Sequence, residues 1–132
     1  MTSDDAMNAS AALKLLEAFA QAYNRHDVDA IMALMTRDCV FLSYFGSDPC
    51  GERFEGFEKV RQRVAAGLAD FPDARWDDLN HFVSGNRGVS EWTFRGTQRG
   101  TTQSVERRGL DVFTFKEGRI HIKDTYHKWR TK

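Results

Sequence analysis

The order of periodicities along the chain restricts the fold more than any other feature. Runs with apolar residues at helical spacing all lie before residue 72, and every long strand-like run lies after it. From Ala11 to Arg25, Leu13, Leu16, Phe19, Ala20 and Tyr23 share one helical face, while Lys14, Glu17 and Gln21 fall largely elsewhere. Asn24-Arg-His-Asp27 breaks that helix, and Asp27 is placed to cap a second, short one whose stripe is Ile31, Leu34 and Met35. Cys39 to Phe45 is β-branched and aromatic and predicts a strand, ended by Gly46-Ser-Asp-Pro49-Cys-Gly51. A third helix carries Phe57, Val60, Val64, Leu68 and Phe71, and Phe71-Pro72-Asp73 stops it.

Three or four strand-like runs follow: Ala74 to Ser84, Gly88 to Arg95, Ser104 to Phe115 and Arg119 to Trp129. Gly85-Asn86-Arg87-Gly88 and Lys116-Glu117-Gly118 are compact hairpin connections. Helices first and a meander afterwards predict an α+β domain with helices on one face of an antiparallel sheet. Such a sheet, curled around its helices, leaves a cavity at its open end. We expect residues 1–8 to be a flexible N-terminus and residues 9–130 to form one domain.

Composition narrows the function classes. With 19 Lys+Arg against 19 Asp+Glu the formal net charge is zero, which argues against a nucleic-acid tail. No apolar run approaches the roughly 20 residues that a bilayer span requires, so no membrane partner is expected. The acidic start, Met1-Thr-Ser-Asp-Asp, lacks the basic stretch and apolar segment of a signal peptide, and the expected location is the cytoplasm. Cys39 and Cys50 are then free thiols. The histidines, His26, His81, His121 and His127, have no metal-ligand spacing, and no Gly-rich phosphate loop or nucleophile elbow stands out. Neither a metal nor a cofactor is expected.

The last hairpin is the most informative stretch. A two-residue Glu117-Gly118 loop sets Lys116 opposite Arg119, Phe115 opposite Ile120, Phe113 opposite Ile122 and Asp111 opposite Asp124. On the face that Phe115, Phe113 and Asp111 share, every pair is apolar except the last. Directly opposed aspartates have Cβ atoms about 5 Å apart, and like charges there are destabilising. Either one carboxyl keeps its proton in the hollow, or a cation such as Arg95, Arg108 or His127 neutralises the pair. The first alternative makes an acid/base site; the second, or a solvated rim, makes a structural one. His127, three residues beyond Asp124, is a candidate proton carrier or a surface histidine, and Trp92 is a candidate ligand wall or plain core.

Several phrases resemble the SnoaL-like branch of the nuclear-transport-factor-2-like superfamily, which includes polyketide cyclases, ketosteroid isomerases and limonene epoxide hydrolase. They are Phe19-Ala-Gln-Ala-Tyr-Asn-Arg-His-Asp-Val-Asp-Ala-Ile, Phe54-Glu-Gly-Phe-Glu-Lys-Val, Glu91-Trp-Thr-Phe-Arg-Gly-Thr, and Gly109-Leu-Asp-Val-Phe-Thr-Phe-Lys-Glu-Gly-Arg-Ile with Tyr126 downstream. The resemblance implies a cystatin-like α+β cone, a curved antiparallel sheet wrapped around three N-terminal helices, with a deep apolar pocket and a homodimer through the outer sheet face. It implies that Asp111 matches the aspartate that ketosteroid isomerases keep protonated in their oxyanion hole. The isomerase tyrosine falls on Phe19 and its base on Leu42 or Ser43. Arg95 matches the epoxide-hydrolase arginine, but Thr97 and Thr125 stand where its carboxylates would be. The polyketide-cyclase aspartate falls near His127.

Two function classes follow. One is an acid/base enzyme without a cofactor, an isomerase, cyclase, dehydratase or hydrolase for a small apolar carbonyl or polycyclic compound. In it Asp111 donates a hydrogen bond, Asp124 is the base or its electrostatic partner, and His127 carries protons. Arg95 orients a substrate oxygen, and Phe19, Tyr23, Trp92, Phe113 and Tyr126 form the wall. The other class is a non-catalytic small-molecule-binding or dimeric assembly module.

Overall fold

The computed structural model describes residues 7–131. Of the expected N-terminal segment, residues 1–6 lie outside the described residues; Met7 packs against the core and Asn8 caps the first helix. The elements run α1 (Ala9–Asn24), α2 (Val28–Ala33), β1 (Met35–Leu42), β2 (Arg53–Glu55), α3 (Phe57–Asp70), β3 (Arg75–Ser84), β4 (Arg87–Thr97), β5 (Ser104–Lys116) and β6 (Arg119–His127). The strands form one sheet in the order β2-β1-β6-β5-β4-β3. Neighbours pair antiparallel except β1 and β6, which run parallel, so the sheet is mixed rather than wholly antiparallel.

Local chemistry explains the helices. The Asn8 side chain accepts from the Ala11 N–H at 2.8 Å, and the Asp27 carboxylate accepts from the Ala30 N–H at 3.1 Å, each satisfying a first-turn amide. On α1 the buried face is Ala12, Leu15, Leu16, Phe19 and Ala22, with Leu13, Ala20 and Tyr23 half-buried at its edge. The breaker between α1 and α2 also ties the helices to the sheet. Asn24 exchanges two hydrogen bonds with the Trp76 backbone, and His26 Nε2 lies 2.8 Å from the Ala74 carbonyl. Met35, assigned by spacing to the second helix, instead opens β1, because its strand runs beside β6 and buries Met35 against the core.

The core lies between the helices and the inner sheet face. Phe113, Phe115, Ile120, Leu16, Ile31 and Val60 are almost fully enclosed, and each such side chain contributes about 1.5–3 kcal/mol by burial. Among the described residues no helix is long and apolar enough to cross a membrane.

The hairpin register corrects the sequence expectation. Glu117 (φ +55°) and Gly118 (φ +74°) form the tight two-residue turn, and Lys116 faces Arg119 and Phe115 faces Ile120 as expected. Then β6 bulges: Thr114 faces Ile122, so His121 is the extra residue. Beyond it every β6 side chain changes face. Phe113 faces Lys123, Val112 faces Asp124 and Asp111 faces Thr125, so Asp111 and Asp124 never oppose one another.

Candidate functional site

The inner face of β6 beyond the bulge presents Lys123, Thr125 and His127, and the inner face of β5 presents Phe113, Asp111, Gly109 and Arg107. Trp92 on β4 lies against Gly109, where a Cβ would stand 2.5 Å from the indole ring. Only glycine leaves room for the indole there. From there Trp92 Nε1 donates to Asp111 Oδ2 at 3.0 Å.

Asp111 is the hub of a buried cluster. Its Oδ1 accepts from the Lys123 ammonium at 3.0 Å and from the Thr125 hydroxyl, and Lys123 Nζ also donates to Thr125 Oγ1 at 2.8 Å. Lys123 Nζ sits 4.4 Å from the Phe41 ring centroid and 5.2 Å from that of Tyr23, so aromatic faces replace water around the cation. Burial alone would push the Lys123 ammonium toward neutrality, but the Asp111 carboxylate offsets it and holds the proton more tightly than in an ordinary lysine. Burial, with the Asp111 charge, raises Tyr23 above an ordinary phenol against the opposing pull of Lys123 and Arg63, so its hydroxyl stays a donor.

A partly enclosed cavity of about 150 Å³ opens over this cluster, between α3 and the sheet. Tyr23, Lys123, Thr125 and His127 line it with Tyr44 and the aromatic rings of Trp76, Trp92 and Phe94. A second, water-sized cavity of about 30 Å³, which shares Tyr23, Trp76, Trp92 and Lys123 with the first, is lined by Asp111, Ser90 and Phe113. His127 stacks on Tyr44 (centroids 4.0 Å apart) and meets Trp92 edge-on at 5.1 Å. Burial lowers its pKa from 6.5 to about 4, helped by the Arg107 and Lys123 charges and opposed by Asp111. The imidazole is therefore neutral at pH 7, and its buried Nδ1 has no hydrogen-bond partner among the described residues.

The sequence candidates divide between the two faces. Asp111, His127, Phe19, Tyr23, Trp92 and Phe113 stand on the inner side: Tyr23, Trp92 and His127 line the larger cavity, and Phe19, Asp111 and Phe113 line the small one beside it. Asp124, Arg95 and Tyr126 do not. Asp124 points to the outer face, where Tyr126 Oη donates to it at 3.2 Å; its pKa is raised, by partial burial first and by the Asp111 charge after the opposing Tyr126 hydrogen bond. Tyr126 is exposed for the same parity reason. Arg95 follows the inward Phe94 and so faces outward, pairing with Asp77 and Glu106 at 2.9 Å each. The cation beside Asp111 is therefore none of the three proposed from sequence but Lys123, which lies between Ile122 and Asp124 and turns inward only because of the bulge. Among the described residues no group of three or more His, Cys, Asp or Glu is placed to hold a metal.

The fold is shared with solved structures. A candidate polyketide cyclase from Xanthomonas campestris pv. campestris superposes with a TM-score of 0.80 at 20% identity, over 96% of this chain and 93% of that one. An NTF2-like protein of unknown function from Mesorhizobium loti gives 0.76 at 24% identity, over 92% and 93%. A protein with a ketosteroid isomerase-like fold from Catenulispora acidiphila gives 0.75 at 15% identity, over 86% and 84%. These likenesses establish the cystatin-like, NTF2-like α+β architecture. Among curated proteins none matches the chain in sequence. The SnoaL-like domain model, however, matches residues 16–121, which takes in every inward residue of the hollow up to the β6 bulge, and the chain belongs to the SnoaL-like domain family.

Proposed function

We propose that this chain is a cofactor-independent acid/base enzyme for a small carbonyl compound held in the hollow. One juxtaposition supports the reading: His127, a neutral imidazole whose Nδ1 has no hydrogen-bond partner among the described residues, lines the same apolar cavity as the Lys123 ammonium and the Tyr23 phenol. A substrate carbonyl oxygen directed at Lys123 and Tyr23 gains hydrogen-bond donors that strengthen as negative charge develops on it. His127, unprotonated across neutral pH, takes the proton from the carbon next to that carbonyl, and returning it to another carbon completes an isomerisation. A base of similar strength, a carboxylate with a nearly ordinary pKa, suffices in ketosteroid isomerases.

In this scheme Asp111 is a positioning residue. Trp92, Lys123 and Thr125 already occupy its carboxylate, so it fixes the ammonium rather than carrying protons. Asp124, Arg95 and Tyr126 take no part, since their side chains lie on the other face. The same occupancy of Asp111 favours a second reading, a holder of small molecules without turnover.

Exchange of α-protons of small cyclic ketones in D2O, followed by NMR, separates the two. We expect exchange at least about a hundredfold above buffer, falling to near buffer in His127→Gln with the fold intact. Ketone binding without exchange would establish the holder instead. The outer face carries the remaining partner proposal, a homodimer: Leu110, Val112 and Tyr126 line a shallow apolar groove there, bordered by Glu91 and Arg108.

A further inference from the structure

We infer that the ligand of this hollow carries an anionic group, a carboxylate, which Arg63 and Arg107 hold. The inference rests on the reading of the hollow as a small-molecule site and concerns which small molecule it takes. Arg63 comes from α3 and Arg107 from the inner face of β5 beyond Gly109, and both line the cavity wall.

The charges of the wall do not balance without a ligand. Lys123 is matched by Asp111 at 3.0 Å. Asp70, the remaining carboxylate on the wall, is engaged by Arg99 at 3.5 Å. Arg63 and Arg107 have no carboxylate at ion-pair distance among the described residues; they rest on aromatic faces instead. The Arg63 guanidinium carbon is 6.0 Å from the Phe41 centroid and 5.8 Å from that of Phe54, and Arg107 lies 4.1 Å over Trp129. Stacking occupies the face of a guanidinium but leaves its in-plane N–H donors unused. Two such donor sets beside one apolar cavity match the planar, bidentate geometry of a carboxylate. At about 150 Å³ the space suits one ring, the size of an engineered apolar cavity that admits benzene. A single-ring oxo acid places its carboxylate on the arginines and its carbonyl toward Lys123 and Tyr23.

Because Trp76 and Trp92 line the cavity, ligand entry is readable as quenching of tryptophan fluorescence. Benzoate and benzamide share size and shape and differ in charge. We expect benzoate to bind at least tenfold more tightly than benzamide in low salt. The double variant Arg63→Gln/Arg107→Gln should erase that preference, and Arg63→Lys/Arg107→Lys should keep most of it. Where the double variant fails to fold, Arg107→Gln alone carries the test, with a loss of about threefold for benzoate only. Equal affinities, a preference that survives the double variant, or binding of neither probe would each overturn the inference. Proton exchange on cyclic ketones involves no anionic group, so the acid/base reading stands or falls separately.

Discussion

The Lys123 ammonium lies 3.0 Å from the Asp111 carboxylate on the neighbouring strand, and both side chains are less than one-tenth exposed, at 8% and 9%. Breaking a buried pair by removing one partner strands the other charge, whereas replacing both partners by apolar groups of similar volume is far milder. Lys123→Met should therefore cost about 3–5 kcal/mol, and Lys123→Met/Asp111→Leu distinctly less than that single change. Urea denaturation of the two variants beside the parent measures the difference. If the double variant were the less stable one, the pair would be contributing net stability beyond mutual compensation.

Alkaline pH reads the same cluster. The folded state raises the Lys123 pKa above 10.5 and the Tyr23 pKa above 10.0. In each case the unfolded chain releases its proton first as pH rises. The stabilisation is fully present below those ordinary values and is lost on passing through the higher folded ones. Thermal melts from pH 9 upward should show falling stability, and the fall should be shallower in Lys123→Met.

His127 reports on the acid side with the opposite sign. Its folded pKa is about 4 against 6.5 in an ordinary histidine, so between these values the unfolded chain binds a proton that the native state refuses. Stability should drop as pH falls from about 6.5 to about 4, by about 3 kcal/mol at most. His127→Gln should flatten that limb. In the catalytic reading, the acid limb of kcat/KM should likewise lie well below 6.5, and a limb at the ordinary histidine value would remove His127 from the role of base.

How much of this was legible in the residues depends on what each inference needed. Helix stripes, the Asp27 cap, the Pro72 stop and the Glu117-Gly118 turn are local, and each appears close to where spacing and turn chemistry put it. The face of Asp124 is not local. Ile120-His-Ile122 alternates as a regular strand would, and nothing in those letters marks a bulge. What accompanies it is long-range: His121 Nδ1 meets Thr36 Oγ1 at 3.1 Å and Asp38 Oδ1 at 3.5 Å, both on β1, the parallel neighbour. One signal was available in the electrostatics. The regular register buries two carboxylates against each other, and a single extra residue replaces Asp124 by Lys123 and turns a repulsion into an ion pair. Arg63 and Arg107 escaped for a similar reason, since only the folded α3 and β5 bring them to one wall.

Gly109 holds Trp92 in place, and the smallest possible change tests it. An alanine Cβ there would lie 2.5 Å from the indole ring and 2.5 Å from the Tyr126 carbonyl oxygen. Moving the indole relieves only the first contact, so the backbone of β6 must give as well. Gly109→Ala should cost about 1–3 kcal/mol by overpacking. It should also break the Trp92 donor to Asp111, seen as a shift of the indole N–H resonance in NMR. An unchanged resonance with unchanged stability would mean that the strand, not the ring, absorbs the methyl.

The outer sheet face supplies the last prediction. Tyr126 is 53% exposed there, with half-buried Leu110 and Val112 beside it, because the bulge that turns Lys123 inward turns the alternate β6 residues outward. An apolar strip flanked by Glu91 and Arg108 fits a second copy of the same face, since each acid then meets a base across a two-fold axis. Light scattering coupled to gel filtration should give a dimer at micromolar concentration, and Leu110→Glu should yield a folded monomer, because the new charge would be buried without a partner at the centre of the contact. A monomeric parent chain under those conditions would leave this face without its proposed occupant. The Lys123–Asp111 pair would be unaffected, since both side chains lie on the opposite side of the sheet; His127, at the end of β6, borders both the hollow and the groove.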